Sequence, residues 1–440
     1  MREPKTRDDE LVFVATNDIS AITRGRAMRL GDLDFATGCG WVPANIGIGP
    51  FGHIVDGIAF GSIGDLRLIP DAGTLTRIHG IPGKPPVNVV LADITHTDGT
   101  AWECCPRTFL RRAIEDLESE TGLSVHAAFE HEFMLLSDAV PEAPFSYQAM
   151  RSVEPMGTEL LQILADAGLD PENWLPEYGA HQWELTVGAT GALAAADRAV
   201  LLRDIVRDYA VATGRRASFS PLVDAEGSGN GAHVHLSLRD AAGAPVTYDP
   251  DLPGRLSKAA GSFAAGILRH TAALVALTSP SDISYLRLSP HRWSAAQAFL
   301  GERNREAMLR VCPTIDMAGK EIGPQFNLEF RAGDAAGNPW LTMGALIRAG
   351  LEGIRDGLPT PVVVDRQVEE LSPEERGAAG VSDLPGSLAE ALDALQADDV
   401  VRGWFAPDLI DIHRAIKRDE INQLVGLSEA EKCRRYTGVY

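Results

Sequence analysis

The chain has 440 residues, 45% of them hydrophobic and 23% charged, with a formal net charge of −21 at pH 7. That length exceeds one ordinary core and implies a small domain plus a larger one, and the composition is that of a folded soluble protein. The acidity excludes nucleic acid and anionic membranes as main partners, because both select basic faces, but not a nucleotide, since carboxylate-held divalent ions can supply the missing positive charge.

No apolar run approaches the ~20 residues that span a bilayer, and the opening Met1-Arg2-Glu3-Pro4-Lys5 lacks the apolar stretch of a signal peptide, so a cytoplasmic protein is expected. Cys39, Cys104, Cys105, Cys312 and Cys433 are odd in number and form no Cys-x-x-Cys pair; they read as reduced structural thiols. Residues 11 to 98 are rich in Gly, Pro and short β-type runs such as Leu66-Arg67-Leu68-Ile69 and Val87-Asn88-Val89-Val90-Leu91-Ala92, which predicts a mostly β amino-terminal domain. Pro106 then opens a helix to Thr121 and Gly122 ends it. This places the boundary between domains of residues 1–103 and 104–440.

Further helices are predicted over 156–168, 194–214, 256–278 and 341–355, with short alternating segments between them. The expected fold is therefore α+β, its large domain built on a curved antiparallel sheet with flanking helices. The Pro-, Glu- and Gly-rich stretch 357–385 reads as a surface excursion, and 387–399 as a helix capped by Ser387 with Glu390 three residues on. No short repeat or low-complexity tract is visible.

In Phe129-Glu130-His131-Glu132-Phe133, a strand puts both glutamates on one face and His131 on the other. Two such carboxylates repel in a buried site unless a cation lies between them. Glu177 and Glu184 flank a Gly-containing turn in Glu177-Tyr178-Gly179-Ala180-His181-Gln182-Trp183-Glu184. In Gly229-Asn230-Gly231-Ala232-His233-Val234-His235-Leu236-Ser237-Leu238 the two imidazoles face one way and the aliphatic residues the other. Arg287 lies in Ser284-Tyr285-Leu286-Arg287, and Arg303, Arg305 and Arg310 lie in the segment 301–310. In Leu328-Glu329-Phe330-Arg331, Glu329 and Arg331 share a face.

Taken singly, these are solvated strand edges, surface turns and ordinary salt bridges. Together, five glutamates and a histidine offer the donors that suit two or more Mg²⁺ or Mn²⁺ ions, and clustered guanidinium groups suit phosphate. Phosphoryl transfer is the most economical chemistry for that combination. No Walker-type or dinucleotide-binding glycine loop is present in the right context.

The order of these segments resembles the glutamine synthetase family, from Gly64-Asp65-Leu66-Arg67-Leu68-Ile69-Pro70-Asp71 to the carboxyl end. Asn338-Pro339-Trp340, the Ala349-Gly350-Leu351-Glu352-Gly353-Ile354 helix and Leu384-Pro385-Gly386-Ser387-Leu388 resemble further landmarks. The resemblance implies a small β-grasp amino-terminal domain, a large catalytic domain with a funnel-shaped site, and a homo-oligomer, a dodecamer of two hexameric rings. By motif match, Glu132, Glu177 and Glu184 hold the metal nearer the acid substrate, and Glu130, His233 and Glu329 the metal bridging the ATP phosphates. His235, Ser237 and Arg310 match nucleotide contacts, Gly229 and Arg287 match recognition of glutamate, and Arg305, Arg310 and Arg331 match residues that steady phosphates and a developing acyl phosphate. The chemistry is coherent, because a carboxylate is a poor acyl donor until ATP converts it to an acyl phosphate that an amine can attack.

The pattern also breaks. The family's arginine motif continues to a glutamate that closes the site and helps deprotonate ammonium, whereas Arg287-Leu288-Ser289-Pro290-His291-Arg292-Trp293 carries Trp293 there. An indole cannot take a proton, and His291 and Arg292 would make the mouth less welcoming to ammonium. Ser228 replaces an asparagine beside the acid substrate, Asn327 an arginine at the nucleotide, and Asp56 is a candidate for the amino-terminal ammonium-site aspartate. The absence of tyrosine from 357–385 gives no support to adenylylation at the usual loop. The expected activity is an ATP- and Mg²⁺-dependent ligation of glutamate to an organic amine. Trp293 would pack on the amine or make a cation–π contact, and the proton would leave through His291, another pocket base or water. Ammonia as acceptor, a different acid, and a non-catalytic nucleotide-binding role are the alternatives; a scaffold gains nothing from burying six metal-ligand candidates.

Overall fold

Alternating apolar and polar residues in the strands, and runs of small apolar residues in the helices, sort the chain into two sheets under a helical cover. The computed structural model describes residues 7–290 and 292–440. The amino-terminal strands are β1 (Leu11–Asn17), β2 (Thr23–Arg29), β3 (Cys39–Trp41), β4 (Leu66–Pro70), β5 (Thr76–Ile78) and β6 (Val87–His96). Their order is β2-β1-β6-β4-β3, with β5 also on β6, and β1 runs parallel to β6 while the other pairs are antiparallel. Val12, Val14, Val90 and Leu91 are buried in this curled β-grasp sheet.

The large domain carries β7 (Ser124–Leu135), β8 (Pro171–Pro176), β9 (Gln182–Val187), β10 (Thr190–Gly191), β11 (Ala217–Ser218), β12 (Ala232–Arg239), β13 (Gln297–Glu302), β14 (Ala307–Val311), β15 (Leu328–Phe330), β16 (Val363–Val364) and β17 (Ser382–Asp383). They form one sheet, β16-β13-β14-β15-β12-β7-β9-β8, with β10 and β11 on β7 and β17 on β13. The sheet is not wholly antiparallel as expected: β13 pairs parallel with both β14 and β16. Parallel neighbours usually need a long crossover. Here the chain doubles back through Arg303, in the left-handed region at φ 59, and Asn304 Oδ1 accepts from Glu306 N at 2.9 Å.

The helix Pro106–Thr121 starts and stops as read, Gly122 taking the left-handed φ of 68 that a side chain disfavours. Met156–Asp166, Ala192–Ala212, Pro339–Arg355 and Leu388–Ala397 match expected helices to within a few residues, and Ser387 caps the last, accepting from Glu390 N at 3.2 Å. Helices Lys258–Arg269 and Pro339–Arg355 approach so closely that a Cβ on Gly266 would lie 2.0 Å from Ala349 O, which excludes any larger residue.

Two further expectations are corrected, and one pair of helices is added. The helix expected over 256–278 is two helices, Lys258–Arg269 and Thr271–Thr278, bent by 78°. His270 at the break turns to Asp398 Oδ2 at 2.7 Å, and Thr271 Oγ1 bonds the carbonyls of Ile267 and Leu268, replacing backbone partners lost at the bend. The stretch 357–385 is more than a surface excursion, since it carries β16, β17 and the helix Pro373–Ala378 and packs Val364, Val368, Leu371 and Ala379 on Phe299 and Ala307. The carboxyl-terminal helices Pro407–Leu424 and Glu429–Thr437 were not anticipated, although Ser428 and Glu431 form a capping box. Among the described residues no single helix is long and apolar enough to cross a membrane.

Arg107, 1% exposed, ties the amino-terminal sheet to helices of the large domain. Its guanidinium reaches Asp71 (2.9 Å), Asp93 (3.1 Å) and Asp197 (2.8 Å), and Trp340 Nε1 donates to the same Asp197 at 2.8 Å. Removing one member of a buried ion cluster strands the others without compensation. R107A is expected to lower unfolding free energy by about 3–5 kcal/mol, measured by urea denaturation followed by tryptophan fluorescence.

Candidate active site

The site is assembled by strand register. On β7, period-two alternation sends Glu130 and Glu132 to one face and His131 to the other. His131 is 1% exposed, its ring edge-on to Phe219 at 6.0 Å, and burial holds its pKa down to about 3; it is a neutral core residue. Across the pairings, His233 stands opposite Glu130, Glu184 opposite Glu132, Glu329 opposite His235 and Arg310 opposite Glu329. Residues more than a hundred positions apart thus meet on one face.

Glu130 is the hub. His233 Nδ1 lies 2.8 Å from its Oε1 and 3.5 Å from Glu329 Oε1, while His235 Nε2 lies 3.4 Å from its Oε2. Glu132 accepts from Gly231 N at 2.7 Å. A Cβ on Gly231 would be 2.4 Å from His233 Nε2, so glycine there lets the imidazole lie against the backbone. Glu177, at the turn after β8, accepts from Tyr178 N at 2.9 Å.

Gln182, which the sequence reading passed over, closes that turn. It accepts from Gly179 N (2.9 Å) and donates to Gly229 O (2.8 Å) and Asn230 Oδ1 (3.0 Å). It shares the polar face of β9 with Glu184 and Thr186, and nothing in the sequence separates it from an ordinary solvated strand residue.

The carboxylates divide into two electrostatic classes. Burial pushes Glu130 and Glu329 upward, but His233 and His235 on Glu130, and Arg331, the two histidines and Arg310 on Glu329, outweigh it and hold both below the usual carboxylate range. Glu184 has no such cation. Burial, followed by the charges of Glu130, Glu132, Glu177 and Glu329, pushes it up to about 9. Glu177 is raised by burial and by Glu132 and Glu130. This oxygen-rich half is short of positive charge, and hard divalent cations fit it. Donor atoms of Glu130, Glu132 and His233, and of Glu130, His235 and Glu329, lie within 4.8 Å of one another, so both histidines reach the carboxylates.

The arginines fall at different depths. Arg331 is buried, pairs with Glu329, and donates to Arg305 O (3.1 Å) and Trp293 O (2.9 Å). Arg310 Nε is 2.6 Å from Glu329 Oε2, close enough for an ion pair but not aligned as a hydrogen bond. Arg305 is exposed, and its backbone carbonyl rather than its guanidinium joins this cluster. Arg287 is 2% exposed and donates to Gly333 O at 2.9 Å. Its Nε lies 3.7 Å from Asp334 Oδ2, both atoms without a hydrogen-bond partner. A Cβ on Gly229 would sit 2.4 Å from Arg287 Cγ, which couples these two predicted residues directly.

Trp293 is 68% exposed with φ 53; Glu306 Oε1 accepts from its N at 3.0 Å. Arg292 keeps its charge, but its guanidinium is fixed on Gly227 O and Ala225 O, both at 2.9 Å. His291 lies outside the described residues, and Asp56 is exposed. A cavity of about 340 Å³ opens between His235, Ser237, Asn327, His126 and Glu130; Ser237 Oγ donates to His126 O at 3.2 Å. His235 Nδ1 lies 2.9 Å from Asn327 Oδ1.

Two family models cover the chain: the glutamine synthetase amino-terminal domain matches residues 1–102 and the glutamine synthetase catalytic domain residues 103–436. The chain belongs to the glutamine synthetase family and is an ATP-dependent carboxylate–amine ligase of that type. It is 36% identical, over 86% of its length and 81% of the relative's, to gamma-glutamylpolyamine synthetase of Streptomyces coelicolor. It is 31% identical, over 84% and 82%, to glutamate–isopropylamine ligase of a Pseudomonas species. A crystal structure described as a novel glutamine synthase homolog superposes with a TM-score of 0.91 at 42% identity, covering 99% of this chain and all of that one.

The raised carboxyl of Glu184 gives a signed expectation. A carboxyl whose folded pKa exceeds its unfolded one contributes stability that is complete below the unfolded value and is lost as pH rises through the folded value, here from 4.5 to about 9. Metal-free wild type should therefore lose stability relative to E184Q across that range, by about 1–2 kcal/mol at its upper end, seen as a falling melting temperature. Saturating Mg²⁺ should close the gap, read by differential scanning fluorimetry.

Proposed function

We propose that the protein joins the γ-carboxylate of glutamate to an organic amine, consuming ATP and releasing ADP and phosphate through a γ-glutamyl phosphate. The observation that carries the choice of acceptor is Trp293. Its indole is exposed at the mouth where the family's proton-accepting glutamate would stand, while its carbonyl is held by Arg331. Two relatives are named for joining glutamate to an organic amine or forming a γ-glutamylpolyamine, which supports the same reading.

In this reading Glu132, Glu177 and Glu184 would hold one Mg²⁺ or Mn²⁺, and Glu130, His233 and Glu329 would hold a second. The bound ions would neutralise phosphate charge and orient the γ-phosphoryl group. Arg287 and the Gly229 loop bind glutamate, and His235, Ser237 and Arg310 bind the nucleotide. Arg331 and Arg310 offset the charge that builds as the γ-carboxylate oxygen attacks the γ-phosphorus and ADP leaves, and Arg305 contributes only once its exposed guanidinium turns inward. The amine nitrogen then attacks the acyl carbon, phosphate departs, and the amine proton passes to water or a pocket base, His291 among the candidates. Trp293 supplies an apolar and π-rich surface for the amine's carbon chain. A cytoplasmic homo-oligomer of stacked hexameric rings belongs to the same reading.

Phosphate release with ATP, Mg²⁺, glutamate and a panel of amines tests it. An organic amine should exceed ammonia in kcat/KM; ammonia as the best acceptor overturns the choice of substrate. W293A should raise KM for the preferred amine by roughly tenfold with a much smaller effect on KM for glutamate. G229A should do the reverse, displacing Arg287 and raising KM for glutamate by on the order of tenfold to a hundredfold.

A further inference from the structure

An alkylamine arrives at neutral pH as an ammonium ion whose nitrogen has no lone pair, so a base within reach must take a proton before it can attack an acyl carbon. The indole of Trp293 cannot serve, and the five glutamates of the site are the proposed metal ligands. Another carboxylate touches the same loop: Glu306 Oε1 accepts from Trp293 N at 3.0 Å. No role assigned above uses it.

Several contacts fix where this carboxylate stands. Glu306 precedes β14, and by that strand's alternation it falls on the side of Arg310, which stands opposite Glu329, while Ala307 turns to the apolar cluster with Phe299. Asn304, 7% exposed, accepts from Glu306 N at 2.9 Å and donates to Arg366 O at 2.9 Å, which anchors the backbone from which the side chain leaves. The peptide joining Arg305 to Glu306 also rests on the site, because its carbonyl accepts from Arg331 Nε at 3.1 Å, and the same guanidinium donates to Trp293 O at 2.9 Å. The Glu306 carboxylate and the Arg331 guanidinium thus grip one residue, the anion at its nitrogen and the cation at its oxygen. An amine whose carbon chain lies on the exposed indole meets a carboxylate on its way to the cation proposed to steady the acyl phosphate. A carboxylate offers about four lone-pair sites, so accepting from Trp293 N is compatible with binding an ammonium.

We propose that Glu306 binds the ammonium group of the acceptor and takes its proton, a role that rests on the ligase reading above. One N–H proton of R–NH₃⁺ passes to the Glu306 carboxylate. The lone pair so released forms the C–N bond as the acyl C–O bond breaks, and a second N–H proton leaves with the phosphate. Glu306, partly exposed, returns its proton to water. The substrate class that follows is a primary amine cationic at neutral pH, with Glu306 reading its charge and Trp293 its carbon chain.

Glu306→Gln keeps an oxygen for Trp293 N but removes the charge and the base. Initial rates are compared with isopropylamine and putrescine, both cationic at pH 7, and with hydroxylamine, which is already neutral there. The variant should lose about a hundredfold or more in kcat/KM for the cationic amines while staying within about threefold of wild type for hydroxylamine, and E306D should recover part of the loss. An equal loss with all three acceptors would mark a structural role and overturn the proposal, as would no loss with the cationic amines or a wild type active only with hydroxylamine. Oxygen-18 scrambling in ATP by the wild type, with glutamate and no amine, separates the two levels. Scrambling without a selective effect of E306Q refutes Glu306 alone; no scrambling refutes the ligase reading with it.

Discussion

Five carboxylates, four on one sheet face and Glu177 on the turn beside it, cannot all be ionised without cations, and the rest of the site is organised around that constraint. Strand register makes the crowding unavoidable: Glu132 faces Glu184 across one pairing, and Glu130 and Glu329 flank the strand carrying both histidines. The protein neutralises only half of the cluster itself. Glu130 and Glu329 have histidines and arginines within reach, whereas Glu184 is forced toward its neutral form. An acidic chain of net charge −21 therefore creates local demand for divalent cations where a polyphosphate must be brought against a carboxylate substrate, and repulsion among its own groups becomes affinity for metal.

Arg331 connects this charged floor to the mouth. Its guanidinium contacts Glu329, the carbonyl of Arg305 and the carbonyl of Trp293. One buried cation thus joins a proposed metal ligand to the loop on which the acceptor is proposed to rest. Arg292 performs a parallel task, fixing the carbonyls of Ala225 and Gly227 near the Gly229 turn against which Arg287 packs. The loop bearing Trp293 is held at that residue's own backbone N and O by Glu306 and Arg331, and through the Arg292 guanidinium, so the indole itself carries none of these contacts. In the proposed reading, acceptor choice can then change at position 293 while the proposed phosphoryl-transfer residues stay in place.

Much of the site was legible because its signals are local and periodic. Alternation on β7, β12 and β15 put Glu130, Glu132, His233, His235, Glu329 and Arg331 on the right faces, and Pro106 with Gly122 bounded a helix. What escaped was set by distant partners. The bend at His270 depends on Asp398, the short return between β13 and β14 on the left-handed Arg303, and the engagement of Arg292 on carbonyls of another loop. Gln182 and Asp334 are polar residues whose importance is visible only from what surrounds them, and the stretch 357–385 looked polar although it covers a small apolar cluster. Periodicity shows which way a side chain points; it does not show what waits there.

The central claim, that this face activates a carboxylate by phosphoryl transfer, is tested most directly by positional isotope exchange. ATP carrying oxygen-18 in its β,γ-bridge is incubated with enzyme, Mg²⁺ and glutamate but no amine. Reversible formation of γ-glutamyl phosphate predicts scrambling of the label between bridging and non-bridging β-oxygens that requires both metal and glutamate. Absence of scrambling with glutamate, or scrambling indifferent to the acid, would contradict it.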